Sequence, residues 1–273
     1  MRIDLHTHST ASDGKLAPAA LLAAALEAGV EALAITDHDS VGAYAGLTPP
    51  TGLRLVNGVE FSTAWRRLGI HVVGLGVDLA SAALGEALDF QQAARGARAE
   101  RIAAKLEKRG IPDALAGAAR FAGEGRIGRP HFAQYLVEIG AVANVEFAFR
   151  KYLDASRVGG LQEGWAELPR IVAWIRDSGG VAVLAHPAKY QLTQRRLDEL
   201  AQEFAAAGGE ALEVISGQQH IEQTRALAAL ATRHGLLASQ GSDFHAPGQP
   251  WARLGAAAAL PEGCAPVWTR LGV

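Results

Sequence analysis

Imidazoles and carboxylates recur in this chain at spacings that suit a divalent metal site. The motif Asp4-Leu5-His6-Thr7-His8-Ser9 opens the sequence, and Gly241-Ser242-Asp243-Phe244-His245 answers it near the other end. In a strand, residues i and i+2 share a face, so His6 and His8 emerge together, as do Asp243 and His245. Neutral imidazoles with a carboxylate, at the ends of apolar strands, make the nitrogen and oxygen donor set that divalent transition ions prefer. A single His-x-His reads more readily as a chance pair on a surface strand. Two such pairs, with further ligands between them, reverse that reading.

The further ligands are Asp13, the run Asp37-His38-Asp39 after Thr36, Glu60 in Gly58-Val59-Glu60-Phe61-Ser62, His71 in Gly69-Ile70-His71-Val72, and His186 in Ala185-His186-Pro187. Seven of the nine histidines fall in these motifs or in Gly128-Arg129-Pro130-His131. Structural histidines scattered at random would not gather at strand ends beside Asp or Glu. His220 and His234, in or beside a predicted helix and expected to be without acidic neighbours, are assigned to the surface.

The elements that must position these residues alternate in βα fashion. Candidate strands run from Met1 to Leu5, Ala32 to Thr36, Leu53 to Val59, Ile70 to Val77, Val181 to Ala185, Ala211 to Ile215 and Leu237 to Gln240. The third and fourth are separated only by Trp65-Arg66-Arg67-Leu68-Gly69, too short for a crossover helix, so a hairpin is the alternative there. Helices fit Ala17 to Ala28, Pro169 to Ser178, Leu192 to Ala207 and Ile221 to His234. In a closed parallel barrel the C-terminal strand ends ring one mouth, where such folds place their active sites.

From about Leu84 to Trp165 the rhythm breaks, giving way to Ala, Arg, Glu and Lys at helical spacing, which predicts an inserted helical lid. Arg95, Arg98, Arg101, Lys105, Lys108 and Arg109 lie close together there, and Arg98, Arg101 and Lys105 share a helix face. A solvated face balanced by Glu100 and Glu107 is the plain account. An anion clamp over the metal site is the functional one.

A chain of 273 residues with 49% hydrophobic and 20% charged residues suits one globular domain, or one domain carrying an insertion. The net charge of −2 offers no global attraction to polyanions, so phosphate binding must be local. Cys264 is the one cysteine, which excludes an internal disulfide and thiolate metal clusters. No apolar run reaches membrane-spanning length, and a cytoplasmic location is expected.

In this order the motifs DLHTHS, TDHD, GVEFS, AHP and GSDFH resemble those of the PHP (polymerase and histidinol phosphatase) family of metal-dependent phosphoesterases, in its TrpH-like branch, from Met1 to about Leu260. The resemblance implies a distorted seven-stranded (β/α) barrel over 1–83 and 166–273, with the inserted helical subdomain at 84–165. It also implies two to three divalent ions. His6, His8, Glu60 and Asp243 would hold the first; Glu60, His71 and His186 the second, Glu60 bridging; Asp13, His38 and His245 the third. Manganese is favoured, with zinc or iron the alternatives. Asp37 and Asp39, left without a ligand position, are expected to orient a histidine through its second ring nitrogen.

Two ions sharing Glu60 are expected to hold a water and lower its pKa enough to supply the nucleophile. Ser9, Arg98, Arg101, Arg129 and His131 are the expected substrate contacts, and His131 the candidate acid for the leaving alkoxide. The same resemblance suggests a small nucleotide phosphorylated at both 3′ and 5′ positions, with the 3′-phosphate cleaved. A 5′ to 3′ exonuclease on short RNA or DNA, a histidinol-phosphate phosphatase and a non-catalytic binding module are the alternatives. The arginine-rich lid opposes a cationic substrate, and the lack of an extended basic track favours the small one. No obligate protein partner is implied.

Overall fold

The computed structural model describes residues 1–66, 68–123, 127–153 and 164–273. Arg67 of the turn, and 124–126 and 154–163 of the expected insertion, lie outside the described residues. The seven expected strands form one sheet in sequence order: β1 (Ile3–Asp4), β2 (Ala32–Ile35), β3 (Arg54–Trp65), β4 (Leu68–Leu75), β5 (Val181–Leu184), β6 (Ala211–Ser216) and β7 (Leu237–Gly241). Leu5 N donates to Gln240 O at 3.1 Å and Asp243 N to His6 O at 2.9 Å, which draws β7 back onto β1 and nearly closes a barrel.

All pairings are parallel except those of β4, which runs antiparallel to both β3 and β5. The hairpin is therefore the arrangement adopted, as the short turn requires. One expectation changes with it: His71 reaches the mouth from the N-terminal half of a descending strand, opposite Ser62, whereas the other ligands lie in or beyond ascending strands.

Side-chain alternation sorts the strands between two layers. Ala32, Ala34, Val56, Val73, Leu75, Val181, Val183 and Ala211 pack together in the narrow barrel interior with Ile3 and Leu5, and Val267 joins them. Their neighbours Val59, Phe61, Val72, Ala182, Leu184, Leu212 and Val214 face outward, under α6 (Leu168–Asp177), α7 (Gln194–Ala206) and α8 (Ile221–Arg233). On the other flank, α1 (Pro18–Glu27) covers Leu33 and Ile35. Period two thus puts Glu60 in phase with Val56, His71 with Val73, and Glu213 with Ala211, all on the inner side.

Between β4 and α6 lie α2 (Ala82–Glu107), α3 (Ala114–Ala122), α4 (Arg129–Glu138), the single turn α5 (Val145–Ala148) and a π-helical turn, Phe149–Leu153. Their buried residues, among them Ile102, Leu106, Phe132, Leu136 and Leu153, form a core of their own. Helix α2 belongs to both regions, because its Leu84 and Ala87 pack in the barrel's outer core while Ile102 and Leu106 pack among the inserted helices.

Candidate metal centre

Glu60 lies at the centre of the mouth, and its two carboxylate oxygens face different histidines. Oε1 is 2.9 Å from both His71 Nδ1 and His186 Nε2. Oε2 has the ring nitrogens of His6, His8 and His38 at 3.4, 3.3 and 3.0 Å. Asp243 Oδ1 adds to the second of these groups, 3.5 Å from His6 Nε2 and 3.3 Å from His8 Nε2. Asp13 approaches His245 at 3.4 Å, His8 at 3.8 Å and His38 at 3.9 Å.

All nine residues expected as ligands therefore meet in one continuous cluster. Their donor atoms fall into overlapping sets, each within 4.8 Å: His6 with Glu60 and His186; His6 with His8 and Asp243; His38 with Glu60 and His71; and His8 with Asp13, His38 and His245. The sharing differs from the expected partition, since His6, His8 and His38 each belong to two sets. Each of these residues offers nitrogen or oxygen, and the sole thiol, Cys264, packs at the outer core instead.

Several of these atoms are buried without a hydrogen bond of acceptable geometry, including Glu60 Oε2, His8 Nδ1, His38 Nδ1 and His186 Nδ1. Such atoms are costly unless something satisfies them, and inward-pointing lone pairs are what a divalent cation satisfies. The electrostatics agree. Burial alone would raise the Glu60 carboxyl, yet His38, His71 and His6 hold it well below the usual carboxylate range. Asp243 is held low against burial by His6 and Lys189, and Asp13 likewise by His38 and His245. Burial pushes His71 down to about 4 despite Glu60, whereas Asp243 and Glu60 lift His8 to about 10 against its burial. A well this rich in carboxylates demands positive charge, and the residues present fit divalent ions.

Local backbone strain aims several of these side chains. His186 has φ 29° and Asp243 φ 53°, a region L-residues seldom enter, and the turn at His186 breaks the alternation that would send it outward after Leu184. Gly241 is held to glycine by packing: a Cβ there would lie 2.3 Å from His6 Cβ.

The supporting residues differ from those expected. Asp37 touches no histidine; it accepts from Ser9 N at 2.8 Å, Ser9 Oγ at 2.6 Å and Ser12 Oγ at 2.6 Å, fixing the loop that carries His8 and Asp13. Ser9, expected on a phosphate oxygen, is buried in that bond instead. Asp39 binds Ser62 N at 2.9 Å, Gln91 Nε2 at 2.9 Å and the guanidinium of Arg95. The histidine-orienting carboxylate is Glu213, whose Oε1 lies 3.1 Å from His6 Nδ1 and whose Oε2 accepts from His186 N at 2.5 Å. A lone acid inside the apolar run Ala211-Leu212-Glu213-Val214-Ile215 was the available signal. Lys189, also missed, reaches Asp243 Oδ2 from the turn after His186.

Above the cluster opens a cleft of about 430 Å³, lined by His38, His71 and His186 on one side and by Arg95, Arg98, Arg129 and Trp165 on the other. Arg98 lies 5.3 Å from the Trp165 ring centroid, and Arg129 lies 5.7 Å from that of Phe149. Burial, with Arg129 and Arg95 nearby, lowers the Arg98 guanidinium to about 9, so this wall calls for an anion. Arg101 does not line this cleft. His131 is buried at the start of α4, where its Nδ1 accepts from Gly128 N at 3.0 Å; that gives it a helix-capping task and leaves it facing a neighbouring hollow between lid and barrel. Neither His220, which is exposed as expected, nor His234, which is half-buried rather than at the surface, belongs to the cluster, and His234 does have an acidic neighbour, Asp198, at 3.0 Å.

The PHP domain family model matches residues 4–215. The chain is 44% identical to the 5′-3′ exoribonuclease Rnm of Escherichia coli strain K12, covering 97% of this chain and 92% of that one. It is 41% identical to the 3′,5′-nucleoside bisphosphate phosphatase of Chromobacterium violaceum, over 98% and 96%. Among solved structures, an amidohydrolase from Chromobacterium violaceum with bound sulfate and no metal superposes with a TM-score of 0.89 at 40% identity, covering 100% of this chain and 96% of that one.

Proposed function

This chain belongs to the PHP domain family and is a metal-dependent hydrolase of phosphoester bonds, and on that footing we propose that its substrate is a 5′-phosphorylated nucleotide esterified at the 3′-oxygen, a nucleoside 3′,5′-bisphosphate in the smallest case. The observation that carries this reading is the juxtaposition of the carboxylate-rich cluster with a cleft walled by Arg95, Arg98, Arg129 and Trp165. A ligand that satisfies both ends needs one phosphate for the guanidinium wall, a second for the cluster, and a flat group for the indole.

His6, His8, Asp13, His38, Glu60, His71, His186, Asp243 and His245 would hold two to three divalent ions, with manganese proposed and zinc or iron also compatible with donors of nitrogen and oxygen alone. Such ions, when bound, activate water and neutralise charge on the phosphoryl oxygens. Glu213 keeps His6 in one tautomer and orientation. Arg98 and Arg129 hold the 5′-phosphate, which fixes the distance from that phosphate to the reacting one. In the reaction a water oxygen bonds to phosphorus, the P–O3′ bond breaks, and the proton ends on O3′.

Removing nucleotides from the 5′ end of an oligonucleotide breaks the same P–O3′ bond, with a chain rather than free oxygens on phosphorus. Resemblance to both the exoribonuclease and the bisphosphatase is therefore one chemistry with two sizes of substrate. Histidinol phosphate suits the site poorly, because its ammonium group would face the guanidinium wall. The test is to incubate the manganese-loaded protein with adenosine 3′,5′-bisphosphate, histidinol phosphate and a 5′-phosphorylated oligonucleotide, measuring phosphate and mononucleotide release. Phosphate release from the bisphosphate is expected; release from histidinol phosphate alone would contradict the proposal.

A further inference from the structure

A second cleft, of about 580 Å³, opens beside the same cluster. It shares Asp13, Pro130, Phe149 and Lys189 with the arginine-walled cleft and adds Asp243 and His245, so the two hollows adjoin beside the ligand residues. Its character is different. Lys15, Lys189, Gln218 and the indole of Trp251 line it, and among the described residues no arginine does. Trp251 is 59% exposed, an unusual setting for the largest apolar side chain.

The outer wall is built rather than loose. Gln218 N donates to Trp251 O at 2.7 Å, and Gly217 N donates to Gly241 O at 2.8 Å, tying the loop after β6 to the strand that leads to Asp243. Gly217 has φ 59°, and a Cβ there would lie 2.4 Å from Trp251 O, so only glycine allows this approach. The floor carries Ser216 and Ser242, whose buried hydroxyls make no hydrogen bond among the described residues. Beyond Trp251 the hollow continues, since Trp251, Gly217 and Gln218 also line a further depression of about 370 Å³.

We propose that this cleft is the subsite for the nucleotide attached to the scissile phosphorus, with Trp251 as the platform on which its base stacks, and that 5′-phosphorylated oligonucleotides therefore thread from the arginine wall, across the cluster, to the indole. The inference rests on the reading of the reaction given above. The group on phosphorus is neither nucleophile nor leaving group, so it must project sideways from the in-line axis, and the second cleft is an open way out. An exposed aromatic at its end, with lysines near the phosphates and without base-specific pairing, is the arrangement that binds single strands regardless of sequence. Hydrolysis there leaves a new 5′-phosphate on the shortened chain, which is again the form that the arginine wall recognises.

The test compares wild type, Trp251→Ala and Trp251→Phe on adenosine 3′,5′-bisphosphate and on a 5′-phosphorylated trinucleotide, with anisotropy of a 3′-fluorescein trinucleotide carrying non-hydrolysable linkages as a readout independent of turnover. The expected result is a rise of about tenfold in the ratio of trinucleotide KM to bisphosphate KM in Trp251→Ala, a matching loss of trinucleotide affinity, and recovery in Trp251→Phe. Equal effects on the two substrates, or an unchanged ratio and affinity, would overturn the subsite. Wild type that turns over the bisphosphate but not the trinucleotide would also overturn it and leave the proposed function standing. Absence of turnover on both would sink the proposed function, and the affinity measurement would still decide whether Trp251 holds a strand.

Discussion

The barrel mouth and the helical insert handle charge in opposite ways. At the mouth, Glu60, Asp13 and Asp243 are kept ionised by surrounding imidazoles, Glu60 placed by β3, Asp243 by the strained backbone after β7, and Asp13 by the loop that Asp37 fixes. On the insert, guanidinium groups lie over aromatic faces, Arg98 above Trp165 and Arg109 4.6 Å from the Tyr152 centroid, on helices whose core is separate from the barrel's. One region is a well for cations and the other a wall for anions. On the proposed reading a phosphate with its counter-ions belongs at the seam, with the chemistry assigned to the barrel and recognition of the 5′-phosphate to the insert.

Removing the shared carboxylate attacks the barrel side most directly. Glu60→Gln keeps the volume but removes the negative charge and replaces one of the two oxygens between the histidine groups by an NH2, and turnover is expected to fall by about 10³-fold or more in a steady-state phosphate assay. A variant retaining near-normal turnover would mean that the mouth is not where the reaction happens.

The join between the regions is Arg95 of α2, which is paired with Asp39 at the mouth. Arg95→Ala leaves Asp39 as a buried charge without its partner, with an expected cost of about 3–5 kcal/mol in denaturant unfolding. The Asp39 carboxyl is held low by Arg95 against its burial. A depressed folded-state pKa gives stability that is present above the unfolded value and lost as pH falls through the folded one. The gap between wild type and variant should therefore narrow below about pH 4, and a gap independent of pH would contradict this pairing.

Smaller effects sharpen the contrast. Glu213→Gln loosens His6 and the His186 backbone without removing any ligand, and a 10- to 100-fold loss of metal affinity by calorimetry is expected. Arg98→Ala touches only the wall, so the bisphosphate KM should rise about tenfold while kcat changes little. If Arg98→Ala lowered kcat and spared KM, recognition and chemistry would not be divided between the two regions as described.

Much of this was legible in the chain. Short β-branched or aliphatic runs located all seven strands, because a barrel interior this narrow selects Val, Ile and Ala at alternate positions. The meeting of His6, Glu60, His186 and Asp243 followed from motifs at successive strand ends. What spacing does not carry is which carboxylate faces which ring. Glu213 has no motif around it, and its role appears only when β6 lies beside β5 with the acid pointing inward. Ser9 and Asp37 look equally free in the sequence, yet each satisfies the other. His131 looked like an acid beside Arg129, but position in the first turn of α4 turns its ring nitrogen back to Gly128. No helix among the described residues is long and apolar enough to cross a membrane.

The most direct test of the central claim is phosphate release from adenosine 3′,5′-bisphosphate by protein stripped with a chelator, then reloaded with manganese, with bound metal counted at each stage. The account predicts two to three ions per chain in the loaded protein, loss of about 10³-fold in turnover on stripping, and recovery on reloading. Turnover that survives complete removal of metal would contradict it.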